Sequence, residues 1–175
     1  VRPNAAGGMD FFPMTGGTVA DAPSESTGLE DSLTTSPAGF TTDGRTMYWI
    51  DSRGRNTAAL IAQDVATGEK RVIAENARAD IGGTLSDPRT GEVEAYSVTY
   101  LKTEWTAIDP EVKASLDWLD SQLEGDFGVQ GRTEDDSKWV VWNDPVTAPT
   151  KVYLYDRAAG TLTEFYTGRP ELVGA

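Results

Sequence analysis

The stretch DGRTMYWID at positions 43–51 returns 92 positions later as DDSKWVVWN at 135–143. At the same shift, and without a gap, LIAQD at 60–64 lies over VYLYD at 152–156. Each copy begins with a turn signal and a β-favouring run, and it closes with a second run that leads into a D-x-x-x-G turn. The chain is therefore predicted to repeat a unit built of several short strands.

A third copy lies between these two. The turn sequence DPRTG at 87–91 stands 44 positions after the first turn and 48 positions before the last one. A repeat of this length with about four strands is typical of a β-propeller blade. We predict an all-β chain with about three to four four-stranded antiparallel blades over 39–175. The predicted blades lie at about 40–76, 81–125 and 126–168.

Residues 1–38 are rich in Gly, Ser, Thr and Pro and show little periodicity. We expect them to form a loop-rich part of a preceding blade. Because a propeller closes with typically 4–8 blades, the chain is expected to form an incomplete ring. A three-hairpin β-sandwich is the alternative, but a sandwich would not require the gapless register across the two copies.

One segment departs from the β pattern. Asp109, Pro110 and Glu111 are typical of a helix N-terminus, with a cap, a proline in the first turn and an acidic residue there. Apolar residues then recur at spacings of four, three and four, as on one face of a helix. These residues are Val112, Leu116, Leu119 and Leu123. We predict one inserted amphipathic helix at about 110–124 that covers a sheet edge.

The composition excludes several classes of function. Lys and Arg number 15 against 28 Asp and Glu, and the net charge of −13 argues against nucleic-acid and anionic-membrane partners. The chain has no His and no Cys, so a Ser-His-Asp triad and any His- or Cys-ligated metal are ruled out within it. We expect no cofactor and no metal site. The longest apolar run, at 58–62, is too short to span a bilayer, and the sequence leaves a cytoplasmic or a periplasmic location open.

The segment GFTTDGRTMY at 39–48, followed by DSRGRNTAAL at 51–60, resembles the propeller of prolyl oligopeptidase family serine peptidases, the dipeptidyl- and acylaminoacyl-peptidase-like enzymes. Shorter matches follow in order: DxxTG at 64–68, DPRTG at 87–91, YxxxEW at 100–105, GDF at 125–127, RTxDD at 132–136, YxYDR at 153–157 and GRPEL at 168–172. The resemblance implies the C-terminal blades of a longer peptidase, whose propeller controls peptide access to an α/β-hydrolase domain. The chain contains no G-x-S-x-G nucleophile elbow, so no catalytic residue is carried over.

Four residues are candidates for a substrate or domain interface. Arg53 and Arg55 flank Gly54 and could together hold a peptide carboxylate; the alternative is that they pair with local carboxylates such as Asp51. Glu104 and Trp105 fall within another family-like match, although most of the five tryptophans are expected to pack between blades rather than to stack on a sugar. The acidic run at 134–136 lacks the D-x-D-x-D-G spacing of a calcium loop, which favours solvated turn acids.

Three hypotheses for the function follow. The leading one is a non-catalytic propeller segment of a prolyl-oligopeptidase-like serine peptidase, with its own hydrolase domain and a peptide substrate as partners. The second is a free-standing acidic propeller module for protein interaction, and a remote third is a fragment of a carboxylate glycosidase. Apolar blade faces left open by an incomplete ring also predict self-association.

Overall fold

The computed structural model describes residues 1–173. These residues form two compact units. The first comprises Val1–Phe40 with Gly44–Ile81, and the second comprises Thr41–Asp43 with the chain from Gly82 onward.

The first unit contains a four-stranded antiparallel sheet whose strands lie in sequence order. Its strands are β6 (Ser36–Phe40), β7 (Thr46–Asp51), β8 (Ala59–Asp64) and β9 (Lys70–Ala74). The N-terminal segment forms five shorter strands, of which the first, second and fifth make a small sheet and the third and fourth a hairpin. They are β1 (Arg2–Pro3), β2 (Met9–Phe11), β3 (Met14–Thr15), β4 (Thr18–Val19) and β5 (Glu25–Ser26).

The second unit contains a three-stranded and a four-stranded sheet, again with strands in sequence order. The first of these sheets consists of β10 (Ile81–Ser86), β11 (Val93–Thr99) and β12 (Thr103–Ala107). Helix α1 (Pro110–Gln122) follows it. The last sheet consists of β13 (Asp126–Arg132), β14 (Lys138–Asp144), β15 (Lys151–Asp156) and β16 (Thr161–Thr167), and a 3₁₀ turn follows at Pro170–Leu172.

The predicted fold class is confirmed: residues 1–173 are all-β, with antiparallel blade-like sheets and one α-helix. The middle sheet, however, has three strands instead of four. The chain forms α1 where the other two sheets have their last strand, because its apolar residues there follow a helical period and Pro110 suits a helix start.

The repeated D-x-x-x-G sequences form the same kind of turn in each sheet. In the first, the Asp64 carboxylate accepts hydrogen bonds from the backbone N–H groups of Ala66 and Thr67, at 3.0 and 2.8 Å. The glycine four positions after each aspartate has a positive φ, which a residue with a Cβ adopts only with strain. These angles are 75° at Gly68, 72° at Gly91 and 59° at Gly160. The turns at Asp64 and Asp156 join the third and fourth strands of their sheets and so hold equivalent places in the repeat, whereas the turn at Asp87 joins the first two strands of the middle sheet.

Helix α1 supplies much of the core of the second unit. The carboxylate of its N-cap, Asp109, accepts from the backbone N–H groups of Glu111 and Val112 at 2.7 and 3.2 Å. All four residues of the predicted stripe are buried. They pack against side chains from both sheets of the unit: Leu85, Ala95, Phe127, Trp139, Val141 and Tyr155. Burial of each large side chain stabilises the unit by about 1.5–3 kcal/mol.

The core of the first unit joins the N-terminal segment to the four-stranded sheet. Phe11 of β2 meets Trp49 of β7 edge to face, with ring centroids 5.0 Å apart. Ala59 and Ile61 of β8 belong to the same cluster. The segment that looked loop-rich in the sequence therefore contributes an aromatic anchor to this core.

Gly125 provides a test of the turn that leads into β13. Its φ is 76°, and a Cβ there would lie 2.1 Å from the carbonyl oxygen of Asp144. Gly160 has a comparable φ of 59° but open space around the position of a Cβ. Gly160→Ala is expected to lower the free energy of unfolding by about 1–2 kcal/mol, the cost of the left-handed backbone alone. Gly125→Ala is expected to cost more than about 3 kcal/mol, because the clash adds to that strain.

Urea unfolding followed by circular dichroism measures both differences. Equal losses for the two variants would show that the close approach to Asp144 does not constrain this turn.

Candidate functional site

Arg53 lies just after β7 and is held by two carboxylates. Its Nε and Nη2 donate to the two oxygens of Asp51 at 2.9 and 2.6 Å, which is a bidentate pair. Its Nη1 donates to Glu25 of β5 at 2.7 Å and to the carbonyl of Ser26 at 3.1 Å. The side chain is 23% exposed. Arg53 therefore connects the N-terminal segment to the end of β7.

Glu25 accepts from a second cation, since Lys70 Nζ lies 2.6 Å from its other oxygen. The charged groups of Arg53 and Lys70 are each 5.7 Å from the centroid of Trp49. Burial raises the pKa of Glu25, but the hydrogen bonds from Lys70 and Arg53 outweigh it and leave this pKa below its usual value. The pKa of Asp51 is lowered in the same way, against burial, by Arg53. Hydrogen bonding to Asp51 in turn raises the pKa of Arg53.

Arg55 is two residues away but has a different environment. Its Nη1 pairs with Glu75 at 2.6 Å, and the Glu75 side chain is 64% exposed. Both residues line an open depression of about 500 Å³, together with Asn56, Thr57, Asn76 and Ala77. The two arginines that the sequence placed side by side thus bind separate carboxylates.

Glu104 and Trp105 are adjacent on β12 in the second unit. Trp105 is partly buried, and its indole Nε1 donates to the carbonyl of Phe127 at 3.0 Å. Glu104 is exposed. Both line a depression of about 300 Å³ beside α1, to which Lys102 and Asp120 contribute an ion pair of 2.7 Å.

A second charged cluster, which sequence reasoning missed, is centred on Asp136. This residue lies in the turn between β13 and β14 with φ 56°, and its side chain is only 12% exposed. Its carboxylate accepts from Arg132 Nε, from Arg157 Nη1 and, at 2.7 Å, from Trp139 Nε1. The interpretation of 134–136 as solvated turn acids is wrong for Asp136, because two arginines that lie close together need a shared counter-charge.

That interpretation does fit Asp135, whose exposed carboxylate closes the turn itself. It accepts from the Thr133 hydroxyl at 2.6 Å and from the backbone N–H of Ser137 at 3.1 Å. These hydrogen bonds lower the pKa of Asp135 to about 2.

Arg132 and Arg157 extend the cluster, called the Asp136 cluster below, to the other elements of the second unit. Arg132 Nη1 donates to Glu94 of β11 and, at 2.8 Å, to the carbonyl of Ser86 in β10. Burial raises the pKa of Glu94 against the effect of Arg132. Arg157 donates to the Ser115 hydroxyl of α1 at 2.9 Å and to the carbonyl of Glu111 at 3.2 Å.

Trp139 lies beside both cations of the Asp136 cluster. The Arg132 and Arg157 guanidinium carbons lie 4.9 and 5.0 Å from its ring centroid, within the range of cation–π attraction. The 92-residue shift places the three charged residues of the cluster on uncharged positions of the first copy, so the cluster is absent there. These positions, for 132, 136 and 157 in turn, are Phe40, Gly44 and Val65. That departure from the repeat is the sequence signal that could have revealed it.

The charged groups of both clusters pair with one another and with backbone carbonyls. Among residues 1–173, no group of three or more acidic side chains is arranged to hold a metal ion. Within the same range, no helix is long and apolar enough to cross a membrane.

The fold and the clusters define a β-propeller-type module. Over 146 residues the chain is 53% identical to dipeptidyl aminopeptidase BIII of Pseudoxanthomonas mexicana, a match that covers 83% of this chain and 21% of that protein. The chain thus spans about a fifth of the length of this curated relative. Among solved structures, TolB from Acinetobacter baumannii matches with a TM-score of 0.52 and 18% identity, over 83% of this chain and 36% of that one. This likeness to a β-propeller shows the fold alone. No family model matches the chain.

Arg53→Met tests the first cluster. The variant leaves Asp51 and Glu25 partly buried without this counter-charge, so it is expected to lower the free energy of unfolding at pH 7 by about 2–3 kcal/mol, somewhat less than for a fully buried pair. Both carboxyl pKa values lie below their unfolded-state values, so the stabilisation is present above about pH 4 and is lost as the pH falls through the folded-state values. The difference between wild type and variant should therefore shrink as the pH falls from about 5 to 2.

Arg55→Met is the matched control, because it removes the same charge from an exposed pair. It is expected to change stability by at most about 1 kcal/mol at any pH. Thermal or urea unfolding across this pH range measures both. A loss for Arg53→Met that stays constant with pH would contradict the ion-pair explanation.

Asp136→Asn tests the second cluster by removing the charge that Arg132 and Arg157 share. It is expected to destabilise the second unit by about 3 kcal/mol or more, because the buried Arg132 keeps only Glu94 as a carboxylate partner. Glu134→Gln makes the same change of charge at an exposed neighbouring position and should be nearly neutral. Hydrogen exchange of α1 should increase in the first variant only; similar exchange in the two would contradict the role of Asp136.

Proposed function

We propose that this chain is a non-catalytic propeller segment of a prolyl-oligopeptidase-like serine peptidase, and that it controls peptide access to an α/β-hydrolase domain outside this sequence. The observation that carries the proposal is the 53% identity to a dipeptidyl aminopeptidase over 146 residues. The chain that shows this identity has no His and no G-x-S-x-G elbow. A serine peptidase needs a base to activate its nucleophile, so the chemistry has to come from elsewhere in the protein.

Access control requires a rigid wall, and the two charge clusters supply rigidity where turns and short strands would otherwise be mobile. Arg53 fixes the two-residue strand β5 to the end of β7. The Asp136 cluster fixes α1 to two sheets. In the proposal, each unit held in this way forms a fixed part of the wall past which a peptide reaches the hydrolase domain.

In this proposal, the peptide or the hydrolase domain contacts three residues: Arg55, Glu104 and Trp105. The Arg55–Glu75 pair is exposed enough to be worth at most about 1 kcal/mol, so an incoming carboxylate can take the place of Glu75. Arg53 would have to break a bidentate pair to do the same. We therefore assign Arg53 a structural role and leave Arg55 as the cation available to a partner.

An acidic interaction module is the second candidate, and one observation favours it. The last sheet exposes large apolar side chains that would suit a protein partner, including a second copy of the chain. They are Val140, Leu154, Phe165 and Tyr166. The reading frame beyond Ala175 separates the two proposals, since a hydrolase domain with a nucleophile elbow supports the first and an immediate stop codon supports the second.

The proposal is tested by comparing this chain with the longer protein that carries it. The chain alone is expected to give no turnover of a dipeptidyl p-nitroanilide, whereas the longer protein should hydrolyse it. The second measurement, made on the longer protein, is the ratio of kcat/KM for a peptide of about 30 residues to kcat/KM for the anilide. Arg53→Met should raise this ratio, because a loosened segment excludes large peptides less well.

Lys113→Met, at an exposed pair on α1, is the control for loss of one positive charge and should leave that ratio unchanged. Turnover that copurifies with the chain alone would overturn the non-catalytic assignment. An unchanged ratio in a destabilised Arg53→Met variant would overturn the access role.

A further inference from the structure

A groove of about 650 Å³ lies between α1 and two turns of the sheet β13–β16. One wall is a single face of the helix that includes Glu111 and Trp118. The opposite wall includes Asp135 from the β13–β14 turn, and Tyr155 and Arg157 from the end of β15. The groove lies entirely within the second unit.

Trp118, on the helical wall of the groove, is held in place by an aromatic contact with the buried Tyr155. Trp118 stacks on Tyr155 with ring centroids 4.8 Å apart and planes 13° from parallel. Tyr155 is 3% exposed and in turn meets the buried Trp139 edge to face at 5.8 Å. Trp118 itself is only partly buried. In the described part of the chain, no hydrogen bond of its indole N–H is found, so this donor is open to a ligand carbonyl.

The charge in the groove is unbalanced. Arg157 shares Asp136 with Arg132, and Glu94 balances the second arginine. Glu111 and Asp135, however, have no cationic partner among residues 1–173. The carboxylate of Asp135 is in addition held ionised by its turn hydrogen bonds. Two uncompensated carboxylates therefore stand beside a preformed aromatic surface.

We propose that this groove binds an extended peptide segment that carries a Lys or Arg side chain. The aliphatic stem of that side chain lies on Trp118, where its cation is attracted to the ring. The charged head group of that side chain is attracted to the carboxylates of Glu111 and Asp135. A carbonyl of the peptide accepts a hydrogen bond from the indole N–H of Trp118. The proposal concerns only residues of the second unit and does not depend on the proposed function.

A comparison of the two copies of the 92-residue repeat distinguishes groove residues that belong to the repeated fold from residues that do not. The turn bond from Thr133 to Asp135 has its counterpart in Thr41 and Asp43, at 2.7 Å. By contrast, Tyr155 and Arg157 correspond to Gln63 and Val65. The acid in the turn therefore belongs to the repeat, whereas Tyr155, which supports Trp118, and Arg157 have no counterpart in the first copy.

The test uses the whole chain and peptides with blocked ends, so that no terminal charge takes part. The probe is acetyl-Ala-Lys-Ala-Lys-Ala-amide, compared with the same peptide carrying Glu in place of Lys. Titration followed by tryptophan fluorescence and calorimetry is expected to show saturable binding of the Lys peptide. Affinity should be at least ~10-fold weaker for the Glu peptide and should weaken with added salt.

Glu111→Gln and Glu92→Gln form a matched pair of variants, since both remove one exposed negative charge and only Glu111 lines the groove. Glu111→Gln should weaken binding of the Lys peptide by ~3- to 5-fold, as expected for a surface ion pair, and Glu92→Gln should leave it within error. Trp118→Leu should abolish saturable binding. Because that variant can also disturb packing on Tyr155, its fold is checked by circular dichroism.

Equal affinity for the Lys and Glu peptides, or equal effects of Glu111→Gln and Glu92→Gln, would overturn the proposal. These outcomes concern binding only, so they leave the access role of the segment unaffected.

Discussion

The carboxylate of Asp136 is the interaction on which the second unit depends. It accepts from two guanidinium groups and one indole, and those groups reach the sheet β10–β12, helix α1 and the sheet β13–β16. Charges shielded from water are stable only when paired and hydrogen-bonded. The positions of three elements are therefore coupled to one side chain, which itself lies in a turn with a positive φ.

The parts of the fold that the sequence predicted are those specified by local chemistry. The strands of the repeat, the D-x-x-x-G turns and the N-cap of α1 each depend on residues a few positions apart, so their spacing is visible in one dimension. The burial of Val112 and Leu119 follows from the helical period in the same way. The missing fourth strand of the middle sheet could also be predicted in principle, because the helix occupies that part of the repeat.

The contacts that the sequence did not reveal join residues far apart in the chain. Arg53 meets Glu25 across 28 positions and Arg132 meets Glu94 across 38, and no periodic pattern records such a pairing. The N-terminal segment was harder still to predict, since β5 has only two residues and its partners are β2 and Arg53, 14 or more positions away. Of the four candidate site residues, Arg53 forms the pair with Asp51 that the sequence offered as an alternative, but its second partner, Glu25, and the separate environment of Arg55 were not predicted.

The strand order of the sheets has a consequence for how the chain folds. Every strand in the sheets β6–β9, β10–β12 and β13–β16 pairs with its neighbour in sequence, so each hairpin can close over a short loop and its contacts are local in sequence. Low contact order favours rapid folding and limits the time for which bare strand edges are exposed to aggregation. The same topology lets a helix stand in place of the last strand of a sheet without rethreading the rest, as α1 does after β12.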